Sequence, residues 1–386
     1  MGMHRRRRTQ QRSVQVVGIV LAAVILAASQ PSVAIGGASP PPVHATASVL
    51  VDVKTGQVLF AHAPHLRWRP ASTTKMLTAL LVVEALADDQ EVPISARAAR
   101  QRSGRAIGLE VGERWRAGDL LRAMLLHSAN DAAIALAEAV SGSVEGFADR
   151  MNAKAKALGA VESHFVVPHG LDDPQHYSTA YDLALIARAA LQKQRIAEVV
   201  RLRTWDLVRP GQPTRMVVNS NRLLWRYPDA DGVKTGWIPQ SGLCLVASAT
   251  RDGRQLIAVV LDDKRPYTDA VALLDYGFTN FTLAKVTEAG EVMATMPVAN
   301  GREPLVAIVP HNVFAVTHLG AAIVHEVVLT KDIAPLPQGA VVGRVVYTSD
   351  GEEVAWAWLV AQDPVPTVSM WTRVFSWVSK AFAQWL

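Results

Sequence analysis

Ser72-Thr73-Thr74-Lys75-Met76-Leu77-Thr78-Ala79-Leu80-Leu81-Val82-Val83-Glu84-Ala85-Leu86 places a hydroxyl and a lysine three residues apart at the head of an almost wholly apolar segment. The pattern predicts a helix from Ser72 to about Leu86. Apolar residues nearly all the way round it predict a central, buried position. Three residues are close to one helical turn, so Ser72 Oγ and Lys75 Nζ can meet on one face. A serine hydroxyl is a poor nucleophile until a base takes its proton. A lysine serves as that base only when burial or a neighbouring cation lowers its pKa. The apolar helix supplies the burial. Alone, Ser-x-x-Lys is a weak signal, because it equally fits an ordinary helix cap followed by a solvated lysine.

Upstream, 48–53 and 57–60 read as two strands joined by a Lys54-Thr55-Gly56 turn. Downstream, Asp119 is expected to cap a helix reaching His127. Further helices are expected to start after Asn130 and run through Ala139, to run from Ser143 to about Leu158, and from Thr179 or Tyr181 to about Leu191. Residues 205–219 look strand-like and turn-rich. Residues 242–250 and 255–261 form a hairpin about Arg251-Asp252-Gly253-Arg254, and 268–276 a closing helix. The expected first domain, 46–280, is thus a sheet with a terminal ribbon and a mainly helical insertion. From 281 to 362 short strands are split by Gly, Pro and Asn, which predicts a small β-rich domain. His311, His318 and His325 lie seven apart there, which is no metal-ligand spacing, so neither a metal nor a cofactor is expected.

The two ends carry different signals. Of 386 residues half are apolar and 19% charged, a folded composition with room for two domains. The formal charge of +5 is matched by Arg5, Arg6, Arg7, Arg8 and Arg12, and no acidic residue precedes Asp52. The remainder is near neutral, so a nucleic-acid partner is not expected. These arginines, the apolar run 14–28 and the small residues Ser32-Val33-Ala34 predict a signal peptide over 1–34 and export. Residues 35–45 then read as a flexible Gly- and Pro-rich lead-in. Over 366–386, Trp371, Phe375, Val378, Phe382 and Trp385 recur at steps of four and three, with Arg373 and Lys380 opposite. That pattern predicts an amphipathic helix on a membrane surface, and hence a peripheral protein on the outer face of the cytoplasmic membrane. Cys244 is the single cysteine, expected as a buried thiol with no disulfide.

Two partner motifs follow the first in order. Ser128-Ala129-Asn130 lies between expected helices, where a hydroxyl and an amide can point into a cleft, or simply cap a turn. Lys234-Thr235-Gly236 precedes Trp237 and the hairpin. A lysine there sets a second positive charge near Lys75 and favours its neutral form, unless it is merely a solvated strand residue. Thr235 can bind a carboxylate, and Gly236 lets a substrate lie close against the strand.

Ser-x-x-Lys, Ser-x-Asn and Lys-Thr-Gly in this order resemble the signature set of penicillin-binding proteins and class A β-lactamases. The surrounding text Arg69-Pro70-Ala71, His127-Ser128-Ala129-Asn130-Asp131-Ala132-Ala133, Met151-Asn152-Ala153-Lys154, Pro168-His169-Gly170-Leu171 and Asp231-Gly232-Val233 is most similar to the low-molecular-weight D-alanyl-D-alanine carboxypeptidases, serine peptidase family S11. The resemblance implies an α/β (α+β) β-lactamase/transpeptidase-like fold: an antiparallel sheet with a helical subdomain, then a small all-β domain and a C-terminal amphipathic helix. It implies removal of the terminal D-alanine from peptidoglycan pentapeptides through an acyl-enzyme, with β-lactams as inhibitors. By that analogy Ser72 is the nucleophile, Lys75 the base and Ser128 the proton relay. Asn130, Lys234, Thr235, Gly236, Trp237 and Arg265 bind substrate, and the N–H groups of Ser72 and Trp237 form the oxyanion hole. The stretch Trp237-Ile238-Pro239-Gln240-Ser241 is bulkier than the His/Tyr-Thr expected there. No glutamate is well placed to activate a deacylating water, Glu162 being the nearest. A β-lactamase, a DD-endopeptidase and a non-catalytic cell-wall-binding protein are the alternatives.

Overall fold

The computed structural model describes residues 39–209 and 212–369. The expected signal peptide, the start of the lead-in and the aromatic tail from residue 370 lie outside the described residues. From Val43 the lead-in is held: Val43 packs on the core, and the His44 N–H donates to Asp269.

Strands β1 (Ala47–Asp52) and β2 (Val58–His62) form the opening ribbon. A helical region follows with α1 (Lys75–Ala85), the short ribbon of β3 (Glu91–Pro93) and β4 (Arg114–Arg116) around α2 (Ala96–Arg100), and then α3 (Ala117–Arg122). Next come α4 (Asn130–Ser141), α5 (Val144–Ala157), α6 (Ala180–Leu191) and α7 (Gln194–Val200). The ribbon of β5 (Thr204–Leu207) and β6 (Arg215–Val218) and the short α8 (Leu223–Arg226) lead back to β7 (Ala230–Ile238), β8 (Gly242–Arg251), β9 (Arg254–Leu261) and α9 (Pro266–Asn280). The main sheet runs β2-β1-β9-β8-β7, each neighbouring pair antiparallel.

This sheet is covered on both faces, which explains its unbroken apolar strands. In β9, Ile257, Val259 and Leu261 enter the core shared with α1, while Leu256, Ala258 and Val260 enter the one beneath α9. The period-two alternation therefore feeds two cores rather than core and solvent. Helix α1 is the centre of the helical side, buried continuously from Lys75 to Val82 as its all-round apolarity predicts.

Local chemistry sets the helix ends. Ser143 Oγ accepts from Gly146 N–H and Thr179 Oγ1 from Asp182 N–H, as expected of N-caps. Asp119 is not a cap: α3 starts at Ala117, and Asp119 pairs with Arg122 one turn on. A wide π-turn, Ala123–His127, then ends at Ser128, whose φ of 66° breaks the chain before α4.

Beyond α9 the chain is all β: β10 (Phe281–Thr287), β11 (Val292–Met296), β12 (Leu305–Ile308), β13 (Val313–His318), β14 (Ile323–Leu329), β15 (Val341–Ser349) and β16 (Glu352–Ala361). They form a β10-β13 ribbon and a β11-β12-β16-β15-β14 sheet around Leu305, Val342, Val345, Tyr347 and Leu359. Residues 365–368 continue along this domain, bridging to Leu336 and Gly301.

Candidate active site

Ser72 sits in a single 3₁₀ turn, Ala71–Thr74, immediately before α1. Three hydroxyls fix that region: Thr73 Oγ1 donates to Pro70 O (2.6 Å), Thr78 Oγ1 to Pro168 O (2.6 Å), and Thr74 Oγ1 meets His176 Nε2 (2.8 Å). Gly170, at φ +79°, packs so closely that a Cβ there would lie 1.8 Å from Ala71 O. Only glycine admits this approach of the 168–171 loop.

Lys75 Nζ lies under the turn with three acceptors: Ser72 Oγ at 2.9 Å, Asn130 Oδ1 at 2.7 Å and His169 O at 2.8 Å. Its pKa is held well below the ordinary lysine value, first by burial, then by the charges of Lys234 and Arg105, with Asp131 opposing. His169 and His176 share this interior. Burial and the charge of Lys75 lower them to about 3 and about 4, so both are neutral imidazoles. Val166 N–H donates to His176 Nδ1, which leaves its proton on Nε2 facing Thr74.

Ser128 lines the cleft from the break between the π-turn and α4. Asn130 is engaged within the protein at both ends, with Oδ1 accepting from Lys75 and Nδ2 donating to Ser103 O (2.9 Å). Next to it the buried Asp131 accepts from the N–H groups of Ile107, Gly108 and Leu109. This carboxylate pins the loop that carries Ser103, Gly104 and Arg105 to the cleft rim.

Strand β7 forms the opposite wall. Lys234 is buried, donates to Thr235 O at 3.0 Å, and is lowered to about 7 by burial and then by Arg105. Thr235 Oγ1 lies 3.0 Å from Ser220 Oγ. A Cβ on Gly236 would stand 2.9 Å from Pro70 O and 3.1 Å from Ser72 N, so this glycine lets the strand close on the turn that carries Ser72. The Trp237 ring is exposed, and the turn beyond it is tied down by Trp68 Nε1 donating to Ser241 O (2.9 Å). Arg265, at the head of α9, faces the cleft with Nη2 2.7 Å from His44 Nε2.

A cleft of about 940 Å³ runs between these walls, lined by Ser72, Ser128, Asn130, Thr235, Gly236, Trp237 and Arg265. Lys75 and Lys234 lie beneath its floor. Arg105, Arg222, Arg226 and Lys264 also border it, and among the described residues no Asp or Glu does. Glu162 is elsewhere, paired with His65. Cys244 lies at the base with its thiol pushed up to about 11 by burial, a poor nucleophile. Among the described residues, no group of His, Cys, Asp or Glu is placed to hold a metal. Sequence reasoning missed Arg105, Ser220 and the cleft-side cations of α8. The one signal for Ser220 is the polar triplet Asn219-Ser220-Asn221, whose two asparagines are buried in backbone hydrogen bonds.

Residues 35–265 match the family model described as Peptidase_S11, D-alanyl-D-alanine carboxypeptidase. Residues 281–367 match that of the penicillin-binding protein 5 C-terminal domain. The chain is 32% identical to the D-alanyl-D-alanine carboxypeptidase DacF of Bacillus subtilis over 83% of this chain and 85% of that one. It is 32% identical to DacA of Haemophilus influenzae over 89% and 90%. The crystal structure of penicillin binding protein 5 from Haemophilus influenzae superposes with a TM-score of 0.78 at 32% identity, covering 86% of this chain and all of that one.

Proposed function

Since the chain belongs to the D-alanyl-D-alanine carboxypeptidase family of serine peptidases, S11, we propose roles in that reaction for Ser72, Lys75, Ser128, Asn130, Lys234, Thr235, Gly236, Trp237 and Arg265. The protein is a serine D-alanyl-D-alanine carboxypeptidase of the penicillin-binding type, acting on D-Ala-D-Ala peptides of peptidoglycan through an acyl-enzyme and binding β-lactams.

The environment of Lys75 Nζ carries the residue assignments. A neutral amine has two N–H donors and one lone pair. With Asn130 Oδ1 and His169 O taking the donors, the lone pair faces Ser72 Oγ at 2.9 Å and accepts its proton. Ser72 Oγ attacks the carbonyl carbon between the two D-alanines. The N–H groups of Ser72 and Trp237, on elements that Gly236 brings together, receive the negative charge that develops on the carbonyl oxygen. Ser128 passes the proton to the departing amine as the C–N bond breaks. Lys234, Thr235 and Arg265 hold the terminal carboxylate, and this restricts cutting to the chain end. Asn130 keeps Lys75 in place and offers its second amide hydrogen to the peptide. Water then donates a proton to Lys75, attacks the ester and frees Ser72.

The β-rich domain spans 281–362. Residues 1–34 act as the export signal and 366–386 as a peripheral anchor, placing the reaction at the outer face of the cytoplasmic membrane. Among the described residues no helix is long and apolar enough to cross a membrane. The test of the reaction is a synthetic pentapeptide ending in D-Ala-D-Ala. One free D-alanine per peptide, abolished in Ser72→Ala together with penicillin labelling, is expected; release that survives the substitution refutes Ser72.

A further inference from the structure

A second groove of about 430 Å³ leaves the cleft past Ser220, walled by Arg105, Val218, Arg222, Trp225 and Arg226. It shares Arg105, Ser220, Arg222 and Arg226 with the cleft, and neither the nucleophile's turn nor Gly236 and Trp237. Ser220 Oγ touches Thr235 Oγ1 at 3.0 Å. In the reaction proposed above, Thr235 holds the carboxylate of the departing residue, so the groove begins where that residue ends and runs away from Ser72.

Its chemistry is one-sided. Three guanidinium groups border it and, among the described residues, no carboxylate does. None of the three has an ion-pair partner among the described residues, whereas arginines elsewhere in the same domain, such as Arg69, Arg209 and Arg254, are paired. Tyr267 backs Arg222 and Arg226, with the Arg226 guanidinium 5.3 Å over its ring and its hydroxyl accepting from the Arg222 backbone N–H at 3.4 Å. Trp225 and Val218, 45% and 49% exposed, add an apolar wall suited to the stem of a side chain.

We propose that this groove is a leaving-group subsite that recognises a second carboxylate, carried on the side chain of the departing residue. Arg222 and Arg226 are then specificity residues of the reaction, and the bond made and broken is unchanged. The inference rests on the carboxypeptidase reading, and the substrates separate the two. Peptides ending in D-Ala-D-Glu and in D-Ala-D-Gln differ in charge and hardly in size. Wild-type protein is expected to favour the acidic one in kcat/KM by about tenfold, since two exposed charge contacts are each worth a few-fold. That preference should shrink as salt is raised.

In the double variant Arg222→Gln, Arg226→Gln the ratio should fall to about one. Cleavage of D-Ala-D-Ala and the rate of acylation by penicillin should stay within about twofold, which also shows the variant to be folded. An equal preference for Glu and Gln in the wild type overturns the subsite while leaving the carboxypeptidase intact. A double variant that loses D-Ala-D-Ala, Glu and Gln substrates in parallel also overturns it, because the arginines then serve the terminal carboxylate. Absence of D-alanine release by the wild type overturns both.

Discussion

Three acceptors surround Lys75 Nζ and favour its ammonium, but burial and then the charges of Lys234 and Arg105 outweigh them and hold its pKa well below the ordinary lysine value. Acylation of Ser72 by penicillin should therefore rise with pH as Lys75 deprotonates. Because burial and Lys234 lower this pKa, the limb belongs well below the alkaline region of a free lysine. Lys75→Met should reduce acylation by about 10³-fold or more, the scale of losing a general base. Burial also makes the histidines a stability term. His169 and His176 bind protons near 6.5 in the unfolded chain but only near 3 and 4 in the folded one. The unfolded state then takes more protons as pH falls below about 6.5. Thermal or denaturant unfolding should show stability lost progressively from there down to about pH 4 for His176 and about pH 3 for His169, by up to about 1.4 kcal/mol per pH unit for each histidine. His176→Gln, whose amide can still meet Thr74, should flatten part of that slope.

At the scale of elements, the site exists because two backbones come close to one short turn. Gly170 abuts Ala71 O from one side and Gly236 approaches Ser72 N from the other. Gly236→Ala should push β7 off the turn, slowing peptide hydrolysis by about 10²-fold or more at subsaturating substrate. The accompanying loss of stability should be smaller and is read by thermal melting. Asp131→Ala should release the 107–109 backbone and with it Arg105, leaving buried donors unpaired and costing about 2–4 kcal/mol in denaturant unfolding. Much of this level is legible in the sequence. The apolar runs of β8 and β9 and the all-round apolarity of α1 mark buried elements, and the Ser143 and Thr179 caps mark helix starts. The rest depends on distances between segments far apart in the chain. Ser72 belongs to a 3₁₀ turn because Gly170 and β7 crowd it, and Asp119 is no cap because the helix is already under way at Ala117. Nothing local singles out Arg105, and only the polar triplet Asn219-Ser220-Asn221 points to Ser220. Each acquires its place when a loop folds onto Asp131 or a hydroxyl onto Thr235.

For the whole molecule, the three triplets of the sequence meet at one cleft, and two independent cores hold its walls against a common sheet. The β-rich domain follows α9 without a break, its Val316 packed in the core beneath that helix. In the proposed arrangement the tail after Pro366 keeps this body at the membrane. Deleting it should move the exported protein from the membrane to the soluble fraction with D-alanine release unchanged, checked by fractionation and assay. Everything the cleft does starts from one neutral amine. The direct measurement is the ¹⁵N titration of Lys75 Nζ by NMR in lysine-labelled protein, assigned by its loss in Lys75→Met. The account predicts an amine that loses its proton well below the pH at which a free lysine does, whereas an ammonium that titrates as a free lysine does would contradict it.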